Sequence, residues 1–275
     1  MTSHWEAYHA RWSRLRPPLR PAPEVVAALS EELAAFPAAR EPERACLLLG
    51  VTPELATIHT PLVAVDRNHA MIDALWIGND AERRAVRADW TELDPSIGPL
   101  GCAVGDGSLN VMASPHPQIQ VLKRLRELIP KHGGVVLRCF VRSPAEIDGA
   151  MNAVTPNAET PEQVCDTPEL SASFHGFKWR LAMALCNERG STLQVAALWG
   201  KFHRTFPDRA ALAERTGWSL EDIQTIDVYA DSRETYSFPS RDDFVEVATN
   251  AGWASRFRDV GGYELAERCP LLVLT

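Results

Sequence analysis

Short, uninterrupted apolar runs alternate with segments of helical period through the first half of the chain. Ala45-Cys-Leu-Leu-Leu-Gly50, Pro61-Leu-Val-Ala-Val-Asp66, Arg84-Ala-Val-Arg-Ala-Asp89, Gly101-Cys-Ala-Val-Gly-Asp106 and Gly133 to Val141 predict five strands. They lack the apolar–polar alternation of a sheet with one wet face, so the pattern predicts a parallel sheet covered on both sides. Residues 24–36 and 117–129 predict covering helices, the second with Ile119, Leu122, Leu125 and Leu128 along one face. Thr52-Pro53-Glu54 predicts a further helix start after the first strand: a capping hydroxyl, a proline suited to the first turn, and an acid that complements the dipole.

The flanking regions follow other patterns. In residues 1–23, Tyr8, Trp12 and Arg16 recur at helical spacing before Pro17, Pro18, Pro21 and Pro23. Prolines end a helix, so this segment reads as a short aromatic helix followed by an extended strap, an N-terminal cap. Residues 143–239 read as a mostly helical insertion, with helices near 170–189, 192–205, 208–216 and 219–227, the last capped by Ser219. Within it Phe174, Phe177 and Trp179 suit an acceptor pocket or a subunit contact. Ser240 caps a helix that Gly252 stops. Trp253–Asp259 and Pro270–Leu274 then read as an antiparallel pair joined by a tight loop at Gly261-Gly262.

Composition narrows the class. With 45% apolar and 23% charged residues, 275 residues bury a full core as one domain, 1–275, with an insertion. The formal charge of −8 argues against a non-specific nucleic-acid binder, so no nucleic-acid partner is expected. The six cysteines lie too far apart in sequence for a Cys-x-x-Cys metal pair, so they read as buried, reduced thiols and no metal is expected. Met1 to Trp12 lacks the apolar core of a signal peptide, and no run is long enough to span a bilayer. The expected address is the cytoplasm, without a membrane partner.

Candidate chemistry gathers at the strand ends. Ligands of an open parallel sheet bind beyond the carboxyl ends of its strands, where strand order reverses. The residues there are Gly50, Asp66, Asp89 and Asp106. A carboxylate after the second strand accepts from two ribose hydroxyls, and one after the third accepts from an exocyclic amine, with Trp90 beside the ring. Strand-end aspartates also serve as helix caps and turn formers. Three in succession, after a strand ending in glycine, favour a nucleoside pocket. There is no G-x-G-x-x-G for a dinucleotide and no Walker-type lysine motif for a nucleoside triphosphate.

These residues carry a resemblance. Asp66-Arg67-Asn-His-Ala-Met71-Ile72 resembles the D-x-S-x-x-M-L pattern of class I S-adenosylmethionine-dependent methyltransferases. Arg87-Ala-Asp89-Trp90 is similar to their acidic motif after strand three, and Val104-Gly105-Asp106-Gly107-Ser108-Leu109 to their fourth-strand motif. The likeness covers about 40–141 and returns over 240–275. It implies a Rossmann-like, doubly wound α/β sheet of about seven strands with the last antiparallel. It implies S-adenosylmethionine as cofactor, held by Gly50, Thr52, Asp66, Arg67, Met71, Asp89, Trp90, Gly105, Asp106, Gly107 and Ser108. Leu48 stands where the family carries an acid, and Thr52 where it carries its second glycine. The expected reaction is methyl transfer to a small-molecule acceptor touching Tyr8, Trp12 and His116. The reading from another class is a non-catalytic nucleoside-binding or scaffold protein on the same fold, which the altered first turn supports.

Overall fold

The computed structural model describes residues 9–142 and 159–275. Its elements in chain order are α1 (Pro23–Ala35), β1 (Ala45–Leu49), β2 (Leu62–Asp66), α2 (His69–Leu75), β3 (Arg83–Arg87), β4 (Leu100–Asp106), α3 (His116–Leu128), β5 (Gly134–Arg138), α4 (Pro161–Asp166), α5 (Phe174–Arg189), β6 (Thr192–Gln194), α6 (Val195–Thr205), α7 (Arg209–Thr216), α8 (Leu220–Ile223), β7 (Thr235–Ser237), α9 (Arg241–Asn250), β8 (Ser255–Arg258) and β9 (Leu271–Leu274).

Seven strands form one sheet in the order β3-β2-β1-β4-β5-β9-β8. The first five pair in parallel, and β9 runs antiparallel to both β5 and β8. The five parallel strands are those the apolar runs predict, and the antiparallel last strand is as expected. Alternate residues of β1 feed two cores. Cys46 and Leu48 join α1 residues Val25, Leu29 and Leu33 on one face. Leu47 and Leu49 join Val121, Leu122 and Leu125 of α3 and Phe244 of α9 on the other. This two-residue period with apolar side chains on both faces explains why the strands read as unbroken apolar runs. The edge strands β3 and β8 carry Arg83, Arg84, Arg87, Arg256 and Arg258, charges that disfavour edge-to-edge pairing.

Three local expectations are corrected. Thr52 starts no α-helix: Pro53–Leu55 is a single 3-10 turn, and the Thr52 side chain makes no capping bond. The chain must return to β2 at Leu62, and Pro61 blocks continuation. Glu54 turns instead to Arg20 of the strap, with Arg20 Nε donating to Oε1 at 2.5 Å. In the mostly helical insertion, the helix expected near 192–205 begins only at Val195, because Thr192–Gln194 is β6, paired antiparallel with β7. The β8–β9 connection is not tight. It runs through 259–270, with a 3-10 turn at Ala266–Arg268, because Glu264 is drawn to the start of α5, where it accepts from Ala172 N at 2.7 Å and Ser173 Oγ at 2.6 Å.

A third core lies in the region between β5 and β8, built on Phe174, Phe177, Phe202 and Trp218, and it includes Leu15 and Leu19 of the strap. In the described part of the N-terminal segment, His9–Arg14 is a 3-10 helix. Ser219 and Ser240 cap their helices as predicted, the latter in a capping box with Asp243, and Gly252 stops α9 at φ +81°. All six cysteines are buried and free.

Candidate functional site

Strand order reverses between β1 and β4, and a cavity of about 1090 Å³ opens beyond their carboxyl ends. A volume near the top of the usual ligand-pocket range accommodates two small molecules side by side. One end is polar and built by strand ends. The other is aromatic and built by elements far apart in sequence.

At the polar end, β1 delivers Gly50. Its amide donates to Val65 O at 2.8 Å, and its φ is +106°, a conformation that glycine adopts without strain. A Cβ there would meet no protein atom within 4 Å, although the residue is buried. The space beside Gly50 is therefore cavity, and a side chain would narrow it. Asp66 closes β2. Its Oδ1 accepts from Asn68 N at 2.8 Å, while Asn68 Oδ1 caps α2 by accepting from Met71 N at 3.3 Å. Burial pushes the Asp66 carboxyl above its ordinary range, against the opposing effect of backbone N–H groups and Arg67. A desolvated carboxylate is stabilised in its charged form by any further donor brought to it. Met71 is buried beneath, and Arg67 reaches Glu234 at 3.3 Å.

Asp89 lines the same cavity and also caps the turn Trp90–Glu92. Its Oδ1 accepts from Thr91 N at 2.9 Å and Thr91 Oγ1 at 2.7 Å. Burial opposes its charge, yet the two bonds from Thr91 hold the carboxyl below its usual range. Trp90 packs across the end of β2, with its indole N–H donating to Val65 O at 2.7 Å.

The turn after β4 forms the floor. Ser108 Oγ donates to Leu49 O at 2.9 Å, tying β4 to β1. Gly107 has φ +63°, and a Cβ there would lie 2.7 Å from the Phe140 ring. Asp106 is ion-paired with Arg138 of β5, and both side chains are almost completely excluded from solvent. Burial raises the Asp106 carboxyl despite Arg138. Burial also opposes the Arg138 charge, but Asp106 raises the guanidinium above its usual range. Guanidinium does not deprotonate in proteins, so we assign the pair as ionised.

Most of the sequence-predicted positions converge here. Gly50, Thr52, Asp66, Arg67, Met71, Asp89, Trp90, Asp106, Gly107, Ser108 and Trp12 all border the cavity. Two do not take part. Gly105 lies inside β4, where a Cβ would strike Ser108 Oγ, so its role is to let the turn fold back. His116 is exposed at the first position of α3, and Pro117 lines the wall in its place. Tyr8 lies outside the described residues.

Sequence reasoning missed part of the wall. Phe140 follows β5, Tyr236 belongs to β7, and Phe238 follows it. Trp179 of α5 meets all three edge-on, at ring-centroid distances of 5.5, 5.8 and 5.6 Å. Of the three insertion aromatics singled out above, only Trp179 lines the cavity. Phe174 and Phe177 fill the third core. Asn110 locks the corner: its Oδ1 accepts from Phe140 N at 2.9 Å, and its Nδ2 donates to Phe140 O at 2.8 Å and Ser237 O at 2.7 Å. Nothing local in the sequence marks these partners. Among the described residues, no cluster of three His, Cys, Asp or Glu side chains could hold a metal ion. No helix there is long and apolar enough to cross a membrane.

No protein-family model matches the chain, and no curated protein matches its sequence. Solved structures do match in shape. The crystal structure of a protein provisionally described as a Zn-dependent alcohol dehydrogenase, from Rhodobacter sphaeroides, has a TM-score of 0.57 at 10% identity. The match covers 100% of this chain and 98% of that one. The CcbJ methyltransferase from Streptomyces caelestis has a TM-score of 0.55 at 14% identity, covering 99% and 97%. Human N-acetylserotonin methyltransferase in complex with SAM is more distant, with a TM-score of 0.45 at 9% identity, covering 91% and 52%. At such identities the likeness is one of architecture. The strand order, the antiparallel β9 and the near-complete overlap with CcbJ together give this chain the fold of the class I S-adenosylmethionine-dependent methyltransferases.

Proposed function

We propose that the protein binds S-adenosylmethionine at the polar end of the cavity and directs methyl transfer to a small-molecule acceptor at the aromatic end. The observation that carries this reading is the desolvated Asp66 carboxylate at the end of β2, beside the open space at Gly50 and across from Asp89. Ribose hydroxyls donating to Asp66 would return the stabilisation that burial removes. Asp89 and Trp90 would flank the adenine, with Met71 below it. Asp106, Gly107 and Ser108 would border the amino-acid portion. When bound, the cofactor supplies a methyl group on a sulfonium. The chain's residues orient the two reactants and exclude water around them.

The test is calorimetric titration with S-adenosylmethionine and S-adenosylhomocysteine, comparing wild type with Asp66→Ala. Loss of charge-assisted bonds to the ribose should cost about 3 kcal/mol, roughly a hundredfold in dissociation constant. Binding should also weaken as pH falls through the raised Asp66 value, because a protonated carboxyl accepts less well. A second reading, a non-catalytic nucleoside-binding or scaffold protein, draws support from Leu48, a fully buried leucine where the resembled family carries an acid. Cofactor binding without turnover of any acceptor would favour it. No binding by folded wild type would refute the cofactor reading.

A further inference from the structure

Three rings that border the cavity share a feature. Trp12, Phe140 and Trp179 border the cavity, and each ring carries a cation that does not. Arg20 Cζ lies 5.5 Å from the Trp12 ring centroid, and Arg138 Cζ lies 5.0 Å from that of Phe140. Lys178 Nζ lies 5.7 Å from that of Trp179 and 5.1 Å from that of Tyr229. Arg138 and Lys178 have no solvent exposure. Those two cations therefore sit in the shell behind the walls, while Arg20 is partly exposed and paired with Glu54.

A cation draws π-electron density toward itself. Aromatic rings bind cations through that density, so a ring already engaged from behind offers a weaker face to a second cation in front. An aromatic box without such backing suits an ammonium group. Here the backing works against one. Edge-to-face packing of Trp179 with Phe140, Tyr236 and Phe238 leaves flat apolar surfaces, which suit another ring. Arg67, Arg87 and Arg233 line the cavity too, and all three are exposed. Glu234 answers Arg67 at 3.3 Å.

We propose that the aromatic end of this cavity takes a planar aromatic acceptor in neutral or anionic form, and selects against cationic amines. The inference rests on the methyl-transfer reading for the word acceptor. The binding preference itself stands on the cation-backed walls.

The experiment uses the full chain and three probes on one planar skeleton: 2-naphthol, 2-naphthoate and the cation 2-naphthamidinium, a planar isostere of the carboxylate. Each is titrated by calorimetry, with and without saturating S-adenosylhomocysteine. The expected result is that naphthol or naphthoate binds at least about tenfold more tightly than the cation, a margin typical of one desolvated cation–π contact. Trp12→Leu should weaken the preferred probe severalfold. Trp12 is half-buried on the strap, and circular dichroism checks that the variant is folded. Equal or tighter binding of the cation overturns the proposal, as does failure of all three probes to bind the folded protein. Naphthol binding with no S-adenosylhomocysteine binding would leave this inference standing and remove the cofactor reading. The reverse would remove this inference alone.

Discussion

Replacing Arg138 by methionine probes the ion pair beneath the cavity. Arg138 has no exposed side-chain surface and Asp106 retains only 5%, so solvent screening does not weaken the interaction as it does for surface pairs. Methionine fills much of the arginine volume and removes its charge. Asp106 is then a buried carboxylate without its counter-ion, and breaking a buried pair from one side costs about 3–5 kcal/mol. For a chain of this size that is roughly a 6–20 °C fall in melting temperature. The sign of the pH dependence follows from Asp106. Its folded-state pKa already lies above the ordinary value through burial, and losing Arg138 raises it further. Above that pKa the variant holds an uncompensated charge, and below it the group is neutral. The deficit should be largest near pH 8 and shrink as pH falls toward about 5. Chemical denaturation of wild type and variant across that range measures it. The double variant, Arg138→Met with Asp106→Leu, removes both charges and should recover most of the loss. A single variant within about 1 kcal/mol of wild type, or a double variant as unstable as the sum of the singles, would refute the reasoning.

Two further outcomes follow from local geometry. Gly107→Ala places a Cβ at φ +63° and 2.7 Å from the Phe140 ring, which is itself flanked by Arg138 and Trp179; a loss of about 2 kcal/mol in urea denaturation is expected. His175 is buried, with Nε2 3.1 Å from Arg14 O of the strap, and burial and then Lys178 lower its pKa to about 4; Arg16 and Asp222 are the other charges facing it. Its folded pKa lies below the unfolded value near 6.5, so wild-type stability should fall by about 3 kcal/mol as pH drops from about 6.5 to 4, and His175→Gln should flatten that slope.

Local physics alone marks the five parallel strands, the acids at or just beyond the ends of three of them and several helix boundaries of this protein. A short unbroken apolar run such as Ala45–Leu49, stopped by Gly50, reads as a strand with two covered faces, and Ser240 followed by Asp243 reads as a helix cap. Period, turn chemistry and capping involve residues a few positions apart, so they are written in the sequence. The likeness of Asp66–Met71 and Val104–Leu109 to a known fold rests on the same short-range patterns. Tertiary structure decided what lies across from them. Arg138 reads as one polar residue in an apolar strand until β4 and β5 align it with Asp106. Trp179, Tyr236 and Phe238 become a wall only when α5 and β7 pack over the end of β5 and meet Trp12 from the strap. Asp89 serves as a turn cap as well as a wall residue because Thr91 folds back onto it. Such contacts join segments tens to hundreds of residues apart. They are selected by how separate apolar surfaces fit together, and no short stretch of the chain carries that information.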